Sequence, residues 1–584
     1  MDYLLFRYRR AVRRLRRRLL LWQRQVTRYV NRHIWGKWYQ LRIVKRFLVF
    51  WTALFAIAAV GLTFQILSLE HKGRIATAIA GGTYSEAALG TVQVVNPLLP
   101  DAASADVDRL IFSGLTRYDE AGHLTGDLAK NWDISTDGKT YTFHLRPGVK
   151  WHDGIPFTSA DVAFTIAAIQ NPDSRSPLAS SWQGVKVETK GDATVVFTIP
   201  SPLASFLDSV TIGMVPRHVL ESIEPSLLRE ADFNQKPIGT GPFMMKTFAP
   251  AAQEITLVAN PRYHLGRPRL GEFTFRYYPT PDDALAAYDR RQVLSPGRIG
   301  AAQAERVKRE QDLTLYEANL PEETTLFFQT TDPVVGDAAL RRILSRSLDR
   351  EALITQAQGG EGRVVTQPLL PGQTGYTNKY ALEALSPLEA GKALDELGYI
   401  REGSGTRRKG GTKLALKLVT IAGGPLQTAA EGIKKQYEAL GIDVKITAVA
   451  LDELQQTFMR PRNFQLLLFG VNVGADPDVY AYWHSTQASD PGVNLSKYAS
   501  PEADKALEAG RINTNVQVRT GKYDTFLKTW NNDAPAAVLY QTAYRYAVDK
   551  KVRGVVVQRL ITPGDRFADV VHWTVRQTFV PRYR

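Results

Sequence analysis

Asp476 and Asp478 flank Pro477, a spacing that lets two carboxylates reach one cation from positions i and i+2. The rest of a calcium loop is missing around them, so no metal site is assigned. The nine histidines are scattered along the chain. His152-Asp153 falls in a turn-rich stretch, where a structural role is expected. Gly138-Lys139-Thr140 ends like a phosphate loop, but the upstream position that must be glycine is Asp133. No G-x-S-x-G, H-E-x-x-H or G-x-G-x-x-G occurs. The absence of cysteine excludes disulfides, thiolate metal sites, a cysteine nucleophile and a lipidated cysteine anchor. A hydrolase built on Asp/Glu pairs is the enzyme reading that remains, and it is the weakest. The chain reads as a binding protein, not an enzyme, with no cofactor.

The elements that would position a binding site are clearest in three segments. Tyr141, Phe143 and Leu145 alternate with Thr142, His144 and Arg146, the pattern of a half-buried strand. Thr158 with Asp161 three residues later forms a capping box for a helix carrying Val162, Ile166 and Ile169. Val185–Glu188 and Thr194–Ile199 flank Lys190-Gly191-Asp192 as a hairpin. Segment 414–472 reads strand (Leu414–Ile421), helix (Gln427–Leu440, stopped by Gly441), strand (Ile442–Val449), helix (Leu451–Met459), strand (Phe464–Val471). That order predicts a largely parallel sheet with helices on its faces. Ligands bind such sheets beyond the carboxyl ends of the strands. Two loops lie there: one with Gly423 and Gly424, and one running from Asn472 through Asp476 and Asp478. Glycine lets a backbone approach a ligand closely.

Length and charge frame the rest. The 584 residues exceed one compact domain, and 44% hydrophobic with 22% charged residues is ordinary globular composition. The net charge of +15 is uneven: residues 1–46 carry 15 Lys+Arg and only Asp2, whereas the other 538 residues are almost neutral at +1. Nucleic-acid binding by the main body is therefore excluded. Phe47–Leu69 is 23 residues without a charge, about 34 Å as a helix, enough to span a bilayer. Trp51 suits the interface, and Arg42, Lys45 and Arg46 stop at the N-terminal edge. A buried core helix and a cleaved signal peptide (small residues at Ala76-Thr77-Ala78 and Ala78-Ile79-Ala80) are the competing readings. The long basic block and long apolar run favour a retained single-pass anchor in the plasma membrane, N-terminus cytoplasmic and main body extracellular or periplasmic. In the tail, Leu5, Tyr8, Val12, Leu15, Leu19, Trp22, Val26, Tyr29 and His33 recur at helical spacing among arginines. Such a helix could lie on the anionic inner leaflet, or serve only as a topology signal, or meet a cytoplasmic partner.

Residues 128–166, LAKNWDISTDGKTYTFHLRPGVKWHDGIPFTSADVAFTI, resemble the signature of extracellular solute-binding protein family 5, the oligopeptide-, dipeptide- and nickel-binding components of ABC importers. Lys236-Pro237-Ile238-Gly239-Thr240-Gly241-Pro242-Phe243 is similar to the family's N-P-x-G-T-G-P-[YF] element, and Asn260-Pro261-Arg262-Tyr263 follows at the expected distance. Leu340–Ile354, LRRILSRSLDREALI, resembles its V-R-x-A-l-s-x-A-i-D-R-e-x-i helix. Asp476-Pro477-Asp478 and Asn494–Tyr498 look like its C-terminal landmarks. The order is consistent from about Tyr84 to about Tyr546.

The resemblance implies an α/β, two-lobed, periplasmic-binding-protein-like fold (type II, class C) with an inserted subdomain, preceded here by a single transmembrane helix. It divides the chain into a basic tail (1–46), the span (47–69), a linker (70–83), lobe I (84–315, with an insert near 101–210), lobe II (316–548) and a return to lobe I (549–584). It implies capture of a peptide or other small polar solute by lobe closure and delivery to an ABC permease. Peptide backbone pairs with extended segments in peptide-binding members. The matching positions are Asn96, Leu98 and Leu99, and Gly470, Val471 and Asn472. Tyr480 and Trp483 are expected as pocket aromatics by location. Where such members carry an acid for the ligand's amine, this chain has Asn472 and Val473, so Asp476 or Asp478 would have to take that role. The family's G-x-x-D element reads Arg291-Gln292-Val293-Leu294. A surface sensor or scaffold of the same fold, signalling through residues 1–46, is the alternative function.

Overall fold

A computed structural model describes residues 2–33, 35, 45–72 and 74–581. Arg42, expected at the membrane edge, lies outside the described residues. The chain divides into two units, residues 1–77 with 577–584, and residues 78–576. The first contains helix α1 (Asp2–His33) and helix α2 (Lys45–Lys72). Within α2, Phe47–Gln65 has mean hydropathy 2.2 and is 0% buried. Because the apolar side chains of Phe47–Gln65 stay out of any core, this stretch is not the core helix that composition alone would also allow. It is long and apolar enough to cross a membrane.

The second unit is two-lobed. One lobe has a four-stranded sheet in which strand β1 (Thr83–Leu89) runs parallel to Glu272–Tyr278, followed by Glu254–Ala259 and Phe243–Ala249 in antiparallel order. A second, antiparallel sheet holds Ala129–Ile134, Thr140–Leu145, Thr194–Thr198 and Lys186–Thr189. Tyr141, Phe143 and Leu145 point into the core as the alternation predicts, and Thr158 and Asp161 form the capping box at the helix Ser159–Gln170.

Two sequence motifs interlock here. Gly239 and Gly241 lie against the end of the helix Ala105–Ile111, where an added Cβ would stand 1.9 Å and 2.5 Å from the carbonyl oxygens of Ile111 and Leu110. No side chain fits either position, so glycine is required for close approach. Gly241 N–H donates to Ile111 O at 2.8 Å. The His152 ring bridges the pair: Nδ1 accepts from Gly239 N–H and Nε2 lies 3.1 Å from Gly241 O. Burial pulls this imidazole down to about 4, so it is neutral, which the two-sided bonding requires. His152 is a structural staple, as expected.

The other lobe is built on β2 (Leu313–Phe328), β3 (Ala415–Ile421), β4 (Leu466–Asn472) and β5 (Ala536–Asp549). The strand order is Gly297–Arg298, β5, β2, β4, β3, Asp443–Val449. β3 is parallel to β4 and to Asp443–Val449, as the alternating pattern predicts. The expectation of a largely parallel sheet is corrected: β2 pairs antiparallel with both β4 and β5, so the sheet is mixed. The reason is that β2 and β5 arrive from the other lobe and do not belong to the 414–472 repeat. Both faces of this sheet are covered, which is why β4 reads as a continuous apolar run. Leu466 and Leu468 pack with Leu344, Ile433 and Tyr437 on one side; Leu467 and Val471 pack with Trp483, Phe526 and Trp530 on the other.

β2 and β5 enter both lobes. Ala318, Leu320, Tyr544, Tyr546 and Val548 lie in the first lobe's core, whereas Leu326, Phe328, Ala537 and Leu539 lie in the second lobe's. After β5, Arg566 closes the chain onto the first lobe. Its Nη2 donates to Glu86 of β1 at 2.7 Å, its Nη1 to Asp106 at 2.6 Å, and Glu86 also accepts from Tyr84 and Tyr546. Arg566 and Glu86 are each 1% exposed in their side chains. Removing one partner leaves a charge buried and unpaired. Arg566→Met should destabilise the protein by about 3–5 kcal/mol in urea unfolding. A loss under about 1 kcal/mol would mean that the terminal return is not fastened by this ion pair.

Candidate functional site

The candidate site lies where β2 and β5 leave one core and enter the other. Their ladder is interrupted there, with a register shift between Asn319 and Glu323 and Gln541 Nε2 donating to Leu320 O at 2.7 Å. β4 ends beside this interruption: Gly470 faces Thr324, Val471 faces Glu323 and Asn472 faces Glu322. On its other edge β4 pairs with β3 only at Leu466 and Leu467. Phe469–Asn472 therefore has one edge without a strand partner among the described residues. Gly470 is exposed, and a Cβ there would meet nothing within 4 Å. An unpaired edge beside a glycine is a surface on which an extended chain can form backbone hydrogen bonds.

The other predicted residues are placed differently. Asn96, Leu98 and Leu99 are buried. Asn96 Nδ2 donates to Asn234, its Oδ1 accepts from Leu98 N–H, and its carbonyl accepts from Leu99 N–H. Leu98 O accepts from Ser176 at 2.6 Å. The backbone of this segment is thus occupied within its own lobe. Gly423 and Gly424 open the helix Gly424–Ala439 with φ of +79° and +64°, exposed at the carboxyl end of β3. Trp483 is 1% exposed and stacks on Phe327 with ring centroids 5.7 Å apart, inside the core. Tyr480 is half-buried, stacked 4.1 Å from the His484 ring and 4.5 Å from the Arg511 guanidinium.

Neither aspartate is free. Arg519 grips Asp476 with both terminal nitrogens, Nη1 to Oδ2 at 2.8 Å. Arg511 Nε lies 3.0 Å from Asp478 Oδ2, and burial holds the Asp478 carboxyl above the usual range. These arginines come from the helices Pro501–Arg511 and Val516–Asp533, so the carboxylates fasten the Asn472–Asp478 loop to its own lobe. The same region meets the first lobe. Ala204 N–H donates to Arg511 O at 3.1 Å, and within the first lobe Tyr118 OH donates to Asp208 Oδ1 at 2.5 Å. Burial, with the charge of Asp476 adding to it, pushes Asp208 up to about 6.

Sequence reasoning passed over the groups nearest the strand end. Tyr482 OH donates to Asn472 O at 2.6 Å. Glu323 is fully buried; its Oε1 accepts from Thr325 at 3.3 Å and its Oε2 has no hydrogen-bond partner. Burial pushes this carboxyl up to about 8, so at neutral pH it is mostly protonated. Two adjacent glutamates inside the apolar run of β2 were the available signal.

The family model for bacterial extracellular solute-binding proteins, family 5, middle region, matches residues 123–492. The chain belongs to this family. Its members bind solutes and are not enzymes. The chain is 27% identical over 486 residues to the oligopeptide-binding protein AppA of Bacillus subtilis, covering 81% of this chain and 89% of that one. It is 26% identical over 458 residues to the probable D,D-dipeptide-binding periplasmic protein DdpA of Escherichia coli, covering 75% and 83%. Among solved structures it is similar to AppA of B. subtilis in complex with a nonapeptide (26% identity, TM-score 0.70, 86% of this chain and 100% of that one). It is also similar to NikZ of Campylobacter jejuni in complex with Ni(L-His) (25% identity, TM-score 0.71, 84% and 99%).

The buried acid makes a pH prediction. A carboxyl whose folded pKa is raised favours the folded state while protonated, and that contribution is lost as pH rises from the unfolded value through the folded one. Between pH 5 and pH 8.5 the wild-type melting temperature should fall more than that of Glu323→Gln. Parallel profiles would show that Glu323 is ionised in the fold.

Proposed function

We propose that the chain is a membrane-anchored extracellular binding protein that encloses a peptide or similar extended polar solute between its lobes and hands it to an ABC permease. The observation that carries this reading is the unpaired edge of β4 at Phe469–Asn472, next to the point where the two cores meet. There alternate backbone groups of the segment containing Gly470, Val471 and Asn472 face the free edge for strand addition. The division into lobe I (84–315 with 549–584) and lobe II (316–548) is supported by the separate cores that β2 and β5 join. The names of AppA and DdpA, one oligopeptide-binding and one dipeptide-binding, point to the same solute class.

The ligand's amine is not read by Asp476 or Asp478 in this proposal, because each already neutralises an arginine of its own lobe. A free ammonium would have to bring its own counter-charge or displace an internal pair, and both are costly. Solutes with a blocked or absent amine are favoured. Phe47–Leu69 is the retained anchor, and the arginines of α1 hold its apolar face on the anionic inner leaflet.

Gly470→Trp tests the cleft. The open space around Gly470 predicts a stability change within about 0.5 kcal/mol, as for other surface substitutions. Binding of peptide pools, read as a thermal shift of the wild type, should weaken more than 10-fold, about 1.4 kcal/mol. Unchanged binding would move the ligand elsewhere. The anchor is tested by alkaline carbonate extraction of cell membranes. The protein should stay in the pellet with its N-terminal residues present; a soluble product starting near Ala78 or Ala80 would replace the anchor by a cleaved signal.

A further inference from the structure

The second lobe contains a cavity of about 720 Å3 on the helical side of its sheet. It lies among the helix Arg350–Gln358 (α3), the helix Gly424–Ala439 (α4) and the loop 382–387. Leu348, Val364, Leu382, Leu385 and Leu440 make its wall mostly apolar. Arg350 also lines it, and this side chain has no counter-charge. It is 9% exposed. Its Nε donates to Val538 O at 2.8 Å and its Nη2 to Ser345 Oγ at 3.3 Å. No carboxylate lies within ion-pair distance of it among the described residues. Asp349, next to it, spends its carboxylate capping α3 through Ala352 N–H at 3.0 Å. Burial pulls the guanidinium down to about 10, which leaves it charged at neutral pH. Of the other buried arginines, Arg566 pairs with Glu86 and Asp106, Arg519 with Asp476 and Arg407 with Asp395, whereas Arg341 and Arg462, like Arg350, have no carboxylate within ion-pair distance among the described residues and donate to carbonyl oxygens. The rest of the polar lining is mixed: Lys435, the Thr366, Ser347 and Ser386 hydroxyls, the Gln356 and Gln436 amides, and the exposed carboxylates of Asp349 and Glu351.

A buried cation without a partner is costly, and an anion brought to it would remove that cost. A cavity of this size accommodates a small organic molecule, and its apolar wall selects a ligand with an apolar body. We propose that this cavity is a second binding site, outside the solute cleft, for a small organic carboxylate with an apolar body, its carboxylate on Arg350 and its body against the leucines. The inference does not rest on the peptide-binding reading, because none of these residues belongs to the β4 edge.

The test uses the full chain in lipid nanodiscs, with 4-phenylbutyrate as ligand and 4-phenylbutyramide as the uncharged control, followed by calorimetry and by the fluorescence of Trp530, which borders Arg350 across a smaller cavity. Empty nanodiscs are titrated in parallel and their signal subtracted. The carboxylate should bind at least 10-fold tighter than the amide. Arg350→Gln should abolish that preference. Ala384→Trp, which fills the cavity and leaves Arg350 in place, should weaken the carboxylate at least 10-fold while peptide binding in the cleft persists. Gly470→Trp should leave carboxylate binding intact. Equal binding of acid and amide, or unchanged carboxylate binding in Ala384→Trp, overturns the proposal, and so does no binding up to 10 mM. If Arg350→Gln does not fold, Ala384→Trp decides alone.

Discussion

The antiparallel pairing of β2 with β5 is the constraint on which the rest of the second unit depends. These strands, 16 and 14 residues long, each place one end in the first lobe's core and the other in the second's. β4, β3 and Asp443–Val449 are joined in turn to the edge of β2, while Gly297–Arg298 and Gly362–Val364 pair with β5. The ladder breaks only where the cores meet, at Asn319–Glu323 and again beside Thr324. An interrupted ladder bends more readily than a continuous one, because fewer backbone bonds resist local twist. The fold thus puts an interrupted ladder at the boundary and a packed core on either side. In the proposed function that is the geometry hinge closure needs, since the cores can rotate as bodies while the strands bend between them.

Charges near the boundary are used locally. Arg519 and Arg511 neutralise Asp476 and Asp478 and so hold the loop that follows β4. Tyr482 caps the strand's last carbonyl. What remains toward β4 is backbone, an exposed glycine and a protonated Glu323. In the proposed function such a surface recognises extended shape through main-chain hydrogen bonds and reads side-chain charge weakly. That property suits a receptor for varied sequences better than one for a single charged metabolite.

The sequence made local structure legible and distant pairing illegible. The strand at Tyr141–Leu145, the capping box at Thr158–Asp161 and the three parallel strands of 414–472 are written in periodicities of two and 3.6 and in neighbouring turn residues. Gly239-Thr240-Gly241 was recognisable as a motif, but only the structure shows its physical reason, the carbonyls of Leu110 and Ile111 pressed against it. Asp476 and Asp478 looked available because their arginines lie 43 and 33 residues further along the chain, on helices whose orientation no spacing reveals. Leu98 and Leu99 carry no mark that Asn96 and Ser176 already occupy their backbone. Trp483 is an aromatic beside a binding loop whichever way it points, and it points into the core.

The uneven charge separates two tasks physically. With the main body near neutrality at +1, its long-range field neither attracts nor repels solutes strongly, and at physiological salt such fields fade within about 8 Å. Selection must therefore happen in contact, inside the cleft, by hydrogen bonds and fit. In the proposed function, attraction to anionic lipid of about 1 kcal/mol per Lys or Arg near the surface makes the tail's charge an orientation and retention device.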